Sequence, residues 1–188
     1  YCVTVTDKNG CTATLQDSIR NAPKYEFDSV QDSVTCFGGN DGHATVFVSG
    51  AAPPYTFKWT GGATTQTADS LKAGTYSVTV TDSLQCKAVT LVEVLQPLQL
   101  VIDSLAVVHP GCFGDATGSV TVTAHGGVTT YTYQWNVPGS NKSIANLGAG
   151  AYTVTVTDHN GCTAVSSTML NAPPELQLQL AGLQPEKC

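Results

Sequence analysis

The string "GTYSVTVTD" at 74–82 returns as "GAYTVTVTD" at 150–158, and a shortened form, "YCVTVTD", opens the chain. A string recurring at a fixed interval marks a structural unit that has been copied, so its period limits the fold before any other property does. The cysteines measure that period. Cys36, Cys112 and Cys188 are 76 residues apart, and Cys11, Cys86 and Cys162 follow at 75 and 76. Laid over 112–173 without a gap, 36–97 is identical at 23 of 62 positions. The period divides the chain into residues 1–23 (last two strands of one unit), 24–97 and 98–173 (complete units), and 174–188 (opening strand of another).

Within each unit, apolar and hydroxyl-bearing residues alternate. In Tyr76-Ser77-Val78-Thr79-Val80-Thr81-Asp82 one face of a strand carries Tyr76, Val78 and Val80 and the other carries Ser77, Thr79 and Thr81, the signature of a half-buried strand. Ala44 to Val48, Tyr55 to Trp59, Ser119 to Ala124 and Tyr131 to Trp135 alternate in the same way. Turn residues ("GGNDG", "GAAPP", "TGG", "KAG", "HNG") separate them. Roughly seven short strands in about 76 residues predict an all-β chain of tandem immunoglobulin-like (PKD/fibronectin-like) antiparallel β-sandwiches, stacked end to end. Leu71, Gly74 and Tyr76, and again Leu147, Gly150 and Tyr152, match the tyrosine-corner pattern, in which the Tyr hydroxyl ties back to upstream backbone. Trp59 and Trp135 alternate in phase with Tyr55, Phe57, Tyr131 and Tyr133, which places them in the core; a sugar-stacking platform is their functional alternative.

Charge narrows the function classes. Only 12% of residues are charged and the net charge is −6, so a phosphate-binding surface is not expected and nucleic acid is not a partner. No apolar run approaches the roughly 20 residues of a spanning helix, so no membrane insertion of this segment is expected. Seven cysteines at recurring positions fit an oxidising compartment. Neither a C-x-x-C pair nor histidines at ligand spacing occur, so no metal centre and no cofactor are expected. Carboxylates sit in turns (Asp41, Asp82, Asp115, Asp158); for Asp82 and Asp158, Asx-turn capping is a better explanation than calcium binding. The histidines do not recur between copies: His43, His125 and His159 align with Ser119, Ser49 and Ser83. An active site missing from its own duplicate is improbable, so no catalytic residue is assigned and no enzyme is expected.

"CFGGNDGHATVFVSG", "PYTFKW", "LKAGTYSVTVTD", Cys86 and the closing "QP", with their counterparts at 112–173, resemble SprB repeats, the family named for a giant surface adhesin of gliding Bacteroidota. Ala51-Ala52 stands where that family usually has Gly-Gly, and Thr129-Thr130 replaces the usual Pro. The resemblance implies an extracellular, bacterial cell-surface, repetitive adhesin exported by the type IX system and used in gliding motility or attachment. It also implies O-glycosylation at Asp-Ser-aliphatic triplets, here Ser18, Ser29, Ser33, Ser70, Ser83 and Ser104, although Asp and Ser are also simply frequent in turns. The partners expected are neighbouring repeats of the same chain, with surface polysaccharide or substratum beyond them. A spacer or carbohydrate-binding accessory module of a secreted enzyme is the alternative reading.

Two disulfide schemes are open. Within a repeat, Cys36 would pair with Cys86 and Cys112 with Cys162. In an immunoglobulin-type sandwich, however, the first strand ends at one end of the domain and the penultimate strand at the other. A strand of about eight residues, roughly 25 Å, then separates cysteines whose Cα atoms must approach within about 7 Å. Pairing between repeats, Cys36 with Cys162, is favoured, and Cys11, Cys86, Cys112 and Cys188 then have partners outside the window. A covalent clamp at each joint would make a stiff rod of domains otherwise free to flex. Cys2 replaces Ser77 and Thr153 of the other copies, on the hydroxyl-bearing face, and is a candidate unpaired thiol.

Overall fold

The computed structural model describes residues 2–16 and 24–179. Ser18 and Cys188 lie outside them. The described residues form fourteen strands and no helix.

β1 (Cys2–Thr6) and β2 (Thr12–Gln16) form an antiparallel hairpin in which Cys2 pairs with Gln16. β3 (Glu26–Asp32), β4 (Gly42–Ser49) and β6 (Thr67–Leu71) make one three-stranded sheet, ordered β3-β4-β6. β5 (Thr56–Trp59), β7 (Gly74–Thr81) and β8 (Lys87–Val94) make another, ordered β5-β7-β8. The pattern then repeats: β9 (Val101–Val108), β10 (Gly118–His125) and β12 (Ser143–Leu147) in one sheet, β11 (Thr132–Trp135), β13 (Gly150–Thr157) and β14 (Thr163–Leu170) in the other. Two sheets with this connectivity are the immunoglobulin-type sandwich, and the chain is all-β and immunoglobulin-like.

Each set has six strands, not the roughly seven expected. After β5 the chain closes a tight turn at once, with Gly62 N–H donating to Trp59 C=O at 3.0 Å and Trp59 N–H to Ala63 C=O at 2.9 Å. Only residues 64–66 then remain before β6 begins at Thr67, too few for a further strand.

Alternation becomes packing in the second set. Val120 and Val122 of β10 and Val154 and Val156 of β13 are all fully buried, and they meet Leu100, Trp135, Ile144, Leu147, Tyr152 and Leu170 in one core drawn from both sheets. In the first set Ala44, Val46, Trp59, Leu71, Val78, Val80, Val92 and Val94 are the buried equivalents. Both indoles sit in the core and donate inward, Trp59 Nε1 to Thr65 C=O (2.9 Å) and Trp135 Nε1 to Asn141 C=O (3.1 Å). Rings 2% and 6% exposed offer no face for stacking a sugar.

The tyrosine corner is explicit at Tyr152, whose hydroxyl donates to Gly148 C=O, four residues upstream, at 3.0 Å. A second tie has no counterpart among the sequence expectations: Tyr55 OH donates to Ala51 C=O (3.0 Å) and Tyr131 OH to Gly126 C=O (2.6 Å).

Gly126 itself has φ +76°, and a Cβ there would stand 1.9 Å from Gln99 C=O. Both the left-handed backbone and the close approach require glycine. Gly126→Ala should therefore destabilise by about 2–3 kcal/mol, read as a lowered midpoint in chemical denaturation.

By internal contacts the chain divides into two compact units: Tyr1–Gln31, Ala44–Asp69 and Thr75–Glu93 in one, Asp32–His43, Ser70–Gly74 and Val94–Cys188 in the other. The segment carrying Cys36 thus belongs with the second unit.

Candidate functional site: two loops joined through sulfur

Three turns in the chain share one construction. In each, an Asp immediately after a strand is followed four residues later by Cys: Asp7 to Cys11, Asp82 to Cys86 and Asp158 to Cys162. The Asp Oδ1 accepts the N–H groups of the residues two and four along: Asn9 and Cys11 (2.8 and 2.9 Å), Leu84 and Cys86 (both 2.9 Å), Asn160 and Cys162 (2.9 and 2.8 Å). The Asp N–H in turn donates to the Cys C=O in all three. This closes a hairpin whose residue before the cysteine is left-handed: Gly10 (φ 84°), Gln85 (φ 64°) and Gly161 (φ 85°). The side-chain carboxylate does locally what a longer ladder would otherwise do, and it fixes the cysteine at the rim.

Gln85 is the exception, since a side chain with φ above zero is strained at about 1–2 kcal/mol. Gln85→Gly should raise stability by about 0.5–1 kcal/mol after the greater flexibility of glycine in the unfolded chain is subtracted, which a thermal melt would register as a higher midpoint.

Asp158 is 5% exposed. Burial alone would raise its pKa, but N–H donors from Val128, Cys162, Asn160 and Gly161 outweigh it, and the group lies below its ordinary 3.8. Its Oδ2 takes the Val128 N–H at 2.8 Å, so both oxygens are engaged by backbone, as in a turn cap. A carboxylate whose folded pKa is depressed contributes stability above its unfolded pKa and loses it as pH falls through the folded one. Stability of the Asp158 turn should therefore hold at neutral pH and fall off below about pH 4, with Asp158→Asn flattening that dependence in denaturant titrations repeated across pH.

The facing loop, 33–42, is braced from both ends. Thr35 N–H donates to Asp41 Oδ1 (3.0 Å), Gly39 N–H to Cys36 C=O (2.9 Å) and Gly38 N–H to Gln96 Oε1 (2.9 Å). Hydrogen bonds from the Thr35 side chain and backbone hold the Asp41 carboxyl below its usual value.

Cys36 and Cys162 are disulfide-bonded, with Cα atoms 5.7 Å apart and 126 residues between them in sequence; the Cα spacing is that of ordinary disulfides. Asn160 Nδ2 adds a hydrogen bond to Thr35 C=O at 3.0 Å. Beside the bond lies a cleft of about 340 Å³ bounded by Phe37, Leu98 to Leu100, Gly127, Asp158 and Gly161. The within-repeat scheme is not the one adopted: Cys36 and Cys162 pair with each other, and Cys86 and Cys112 are free and exposed, as are Cys2 and Cys11. Opposite-end placement of the two turns in a sandwich is the physical reason.

The remaining sequence candidates are dispersed. Ser33, Ser70, Ser83 and Ser104 are exposed and Ser29 is half-buried, on separate strands and turns; Ser83 Oγ donates to Ala52 C=O at 3.1 Å. Two histidine–carboxylate pairs lie on the surface, His43 with Asp32 (3.0 Å) and His125 with Asp103 (2.6 Å). The chemistry these residues bring together is a covalent link between loops.

A family profile described as "SprB repeat" matches residues 29–64 and 105–140. No curated protein sequence matches the chain significantly. Among solved structures, the two-domain "DIP-gamma IG1+IG2" aligns over 81% of this chain and 99% of its own, at 14% identity and TM-score 0.42. A C-terminal fragment of intimin, solved with the intimin-binding domain of the translocated intimin receptor, aligns over 81% of this chain and 65% of its own, at 20% identity and TM-score 0.41. The N-terminal eight Ig domains of Down Syndrome Cell Adhesion Molecule align over 93% of this chain and 28% of their own, at 12% identity and TM-score 0.45.

Proposed function

From the premise that the chain carries two SprB repeats, we propose that it is a structural segment of a long extracellular adhesin filament used for surface attachment and gliding motility. The coarser part stands on the repeats themselves: the chain is a tandem, immunoglobulin-like, extracellular-type repeat module with a disulfide. The observation that carries the finer part is that disulfide. It ties a loop of residues 24–97 to a turn of residues 98–173, a pairing suited to load passing from repeat to repeat and to an oxidising exterior. Boundaries at 24, 98 and 174 follow the sequence period. In this reading the joints between repeats are covalently clamped, and many weak contacts with polysaccharide or substratum, summed along the filament, supply avidity. Export by the type IX route and O-glycosylation at Ser29, Ser33, Ser70, Ser83 or Ser104 belong to the same proposal.

Monovalent antibody fragments raised against this chain, applied to cells that produce it, test the reading. Labelling of intact cells together with loss of attachment is expected. Labelling without any effect on attachment or movement would set the adhesin role aside, and release of the antigen with a hydrolytic domain would favour an enzyme accessory instead.

A further inference from the structure

We propose that Asn160 is a site of spontaneous covalent modification governed by the Cys36–Cys162 disulfide: its amide is preserved while that bond is closed and is converted to aspartate or isoaspartate once the bond is opened.

Only two asparagines in the chain, Asn9 and Asn160, precede a glycine. A following glycine has no Cβ to obstruct closure of its own nitrogen onto the asparagine side-chain carbonyl, so these are the two amides whose loss is intrinsically fastest. The turn of Cys86 has Leu84-Gln85 at the corresponding positions and holds no such site. Asn160 is exposed to the water that the reaction needs, yet each of its reacting groups is engaged. The nucleophile, Gly161 N–H, donates to Asp158 C=O at 3.1 Å. The leaving group, Asn160 Nδ2, donates to Thr35 C=O at 3.0 Å. Asn160 N–H is held by Asp158 Oδ1 at 2.9 Å. The two bonds to Asp158 lie within the turn and do not depend on sulfur. The bond to Thr35 does, because its partners are 125 residues apart in sequence and the Cys36–Cys162 disulfide tethers them, one residue past Thr35 and two past Asn160.

The reaction exchanges no electrons. Hydroxide removes the Gly161 N–H proton, the nitrogen attacks Asn160 Cγ, the Cγ–Nδ2 bond breaks, and Nδ2 leaves as ammonia after taking a proton from water. Water then opens the cyclic imide at one carbonyl or the other, giving aspartate or isoaspartate, so a water is consumed for each ammonia released. The product carries a carboxylate where the amide donated. Thr35 C=O then loses its donor and faces an acceptor instead. A disulfide opened for long enough is therefore recorded permanently in the turn it leaves, and the two loops no longer meet as they did.

The test does not involve adhesion, so it can fail independently of the proposed function. The full chain is incubated in mildly alkaline buffer with and without a phosphine reductant, sampled over time and digested with trypsin. Conversion is followed in peptides 9–20 and 143–187 by mass spectrometry, with fragmentation that assigns it to Asn9 and Asn160. Asn160 is expected to convert faster in the reduced chain by about five-fold or more, the ratio contributed by one hydrogen bond, while Asn9, whose turn carries the free Cys11, converts at one rate in both. Asn160→Asp, which installs the product at an exposed position, should lower the equilibrium constant for closing the Cys36–Cys162 bond in a glutathione buffer by about five-fold or more. Equal Asn160 rates with and without reductant, an equal acceleration at Asn9, or unimpaired closure in Asn160→Asp would each overturn the proposal.

Discussion

Trp135→Ala is expected to cost about 3–5 kcal/mol and to abolish cooperative unfolding of the second sandwich near physiological temperature. The indole is 6% exposed, packs among Val120, Val122, Ile144, Val154 and Val156 in the core of both sheets, and donates Nε1–H to Asn141 C=O at 3.1 Å. Removal opens a cavity that β-branched neighbours on rigid strands cannot collapse into, and leaves Asn141 C=O without that donor. Trp135→Phe retains most of the volume and loses the donor, so it should recover more than half of the deficit. Chemical denaturation followed by tyrosine fluorescence would measure both variants. A loss below about 1 kcal/mol for Trp135→Ala would mean that the ring is not buried in solution.

The other large effect belongs to the disulfide. Cross-linking residues 126 apart removes loop-closure entropy from the unfolded chain worth about 4–5 kcal/mol. Reduction, or Cys36→Ser with Cys162→Ser, should lower the stability of the segment holding loop 33–42 by an amount of that order. The Asp158 turn and the Thr35–Asp41 bracing are independent of sulfur and should survive. Cys86→Ser is the control: its thiol is free and exposed, and the change should stay within about 0.5 kcal/mol. Limited proteolysis before and after reduction provides a second readout, since cleavage in 33–42 should accelerate only when Cys36 is released.

Most of the fold was legible because period-2 alternation is a direct record of which residues face the core. Val78 and Val80 lie on the apolar face of that pattern and are fully buried, as are Val154 and Val156 at the equivalent positions of the second copy. The corner tyrosine was legible because L-x-x-G-x-Y has one geometric meaning at the entry to the penultimate strand, and Tyr152 has that geometry. The strand count was less so. The segment after Trp59 is rich in Gly and Thr, and composition cannot say whether seven such residues extend into a strand or fold back on themselves; the Trp59–Ala63 turn decides it. The ties from Tyr55 and Tyr131 were missed, as both tyrosines carried an alternation signal that accounted for them fully. Their hydroxyl partners, Ala51 and Gly126, are backbone carbonyls one register apart in the two copies, beyond what side-chain identity encodes.

The cysteine turns show the same division. Asp four residues before Cys recurs three times and announces a cap, yet the sequence left two pairings open for the sulfur. Topology favours one of them, because a sandwich holds its first-loop and penultimate-turn cysteines a strand's length apart. The left-handed conformation of Gln85 carries no sequence signal of its own; only alignment with Gly10 and Gly161 exposes it.

Tryptic mapping of the native, unreduced protein, alkylated at the outset, is the most direct test of how the repeats are joined. The account predicts a linked pair of peptides 25–58 and 143–187, carrying Cys36 and Cys162, which separates on reduction. Recovery of 25–58 joined to 73–87, or of 88–142 joined to 143–187, would contradict it, because each repeat would then close its sulfur upon itself.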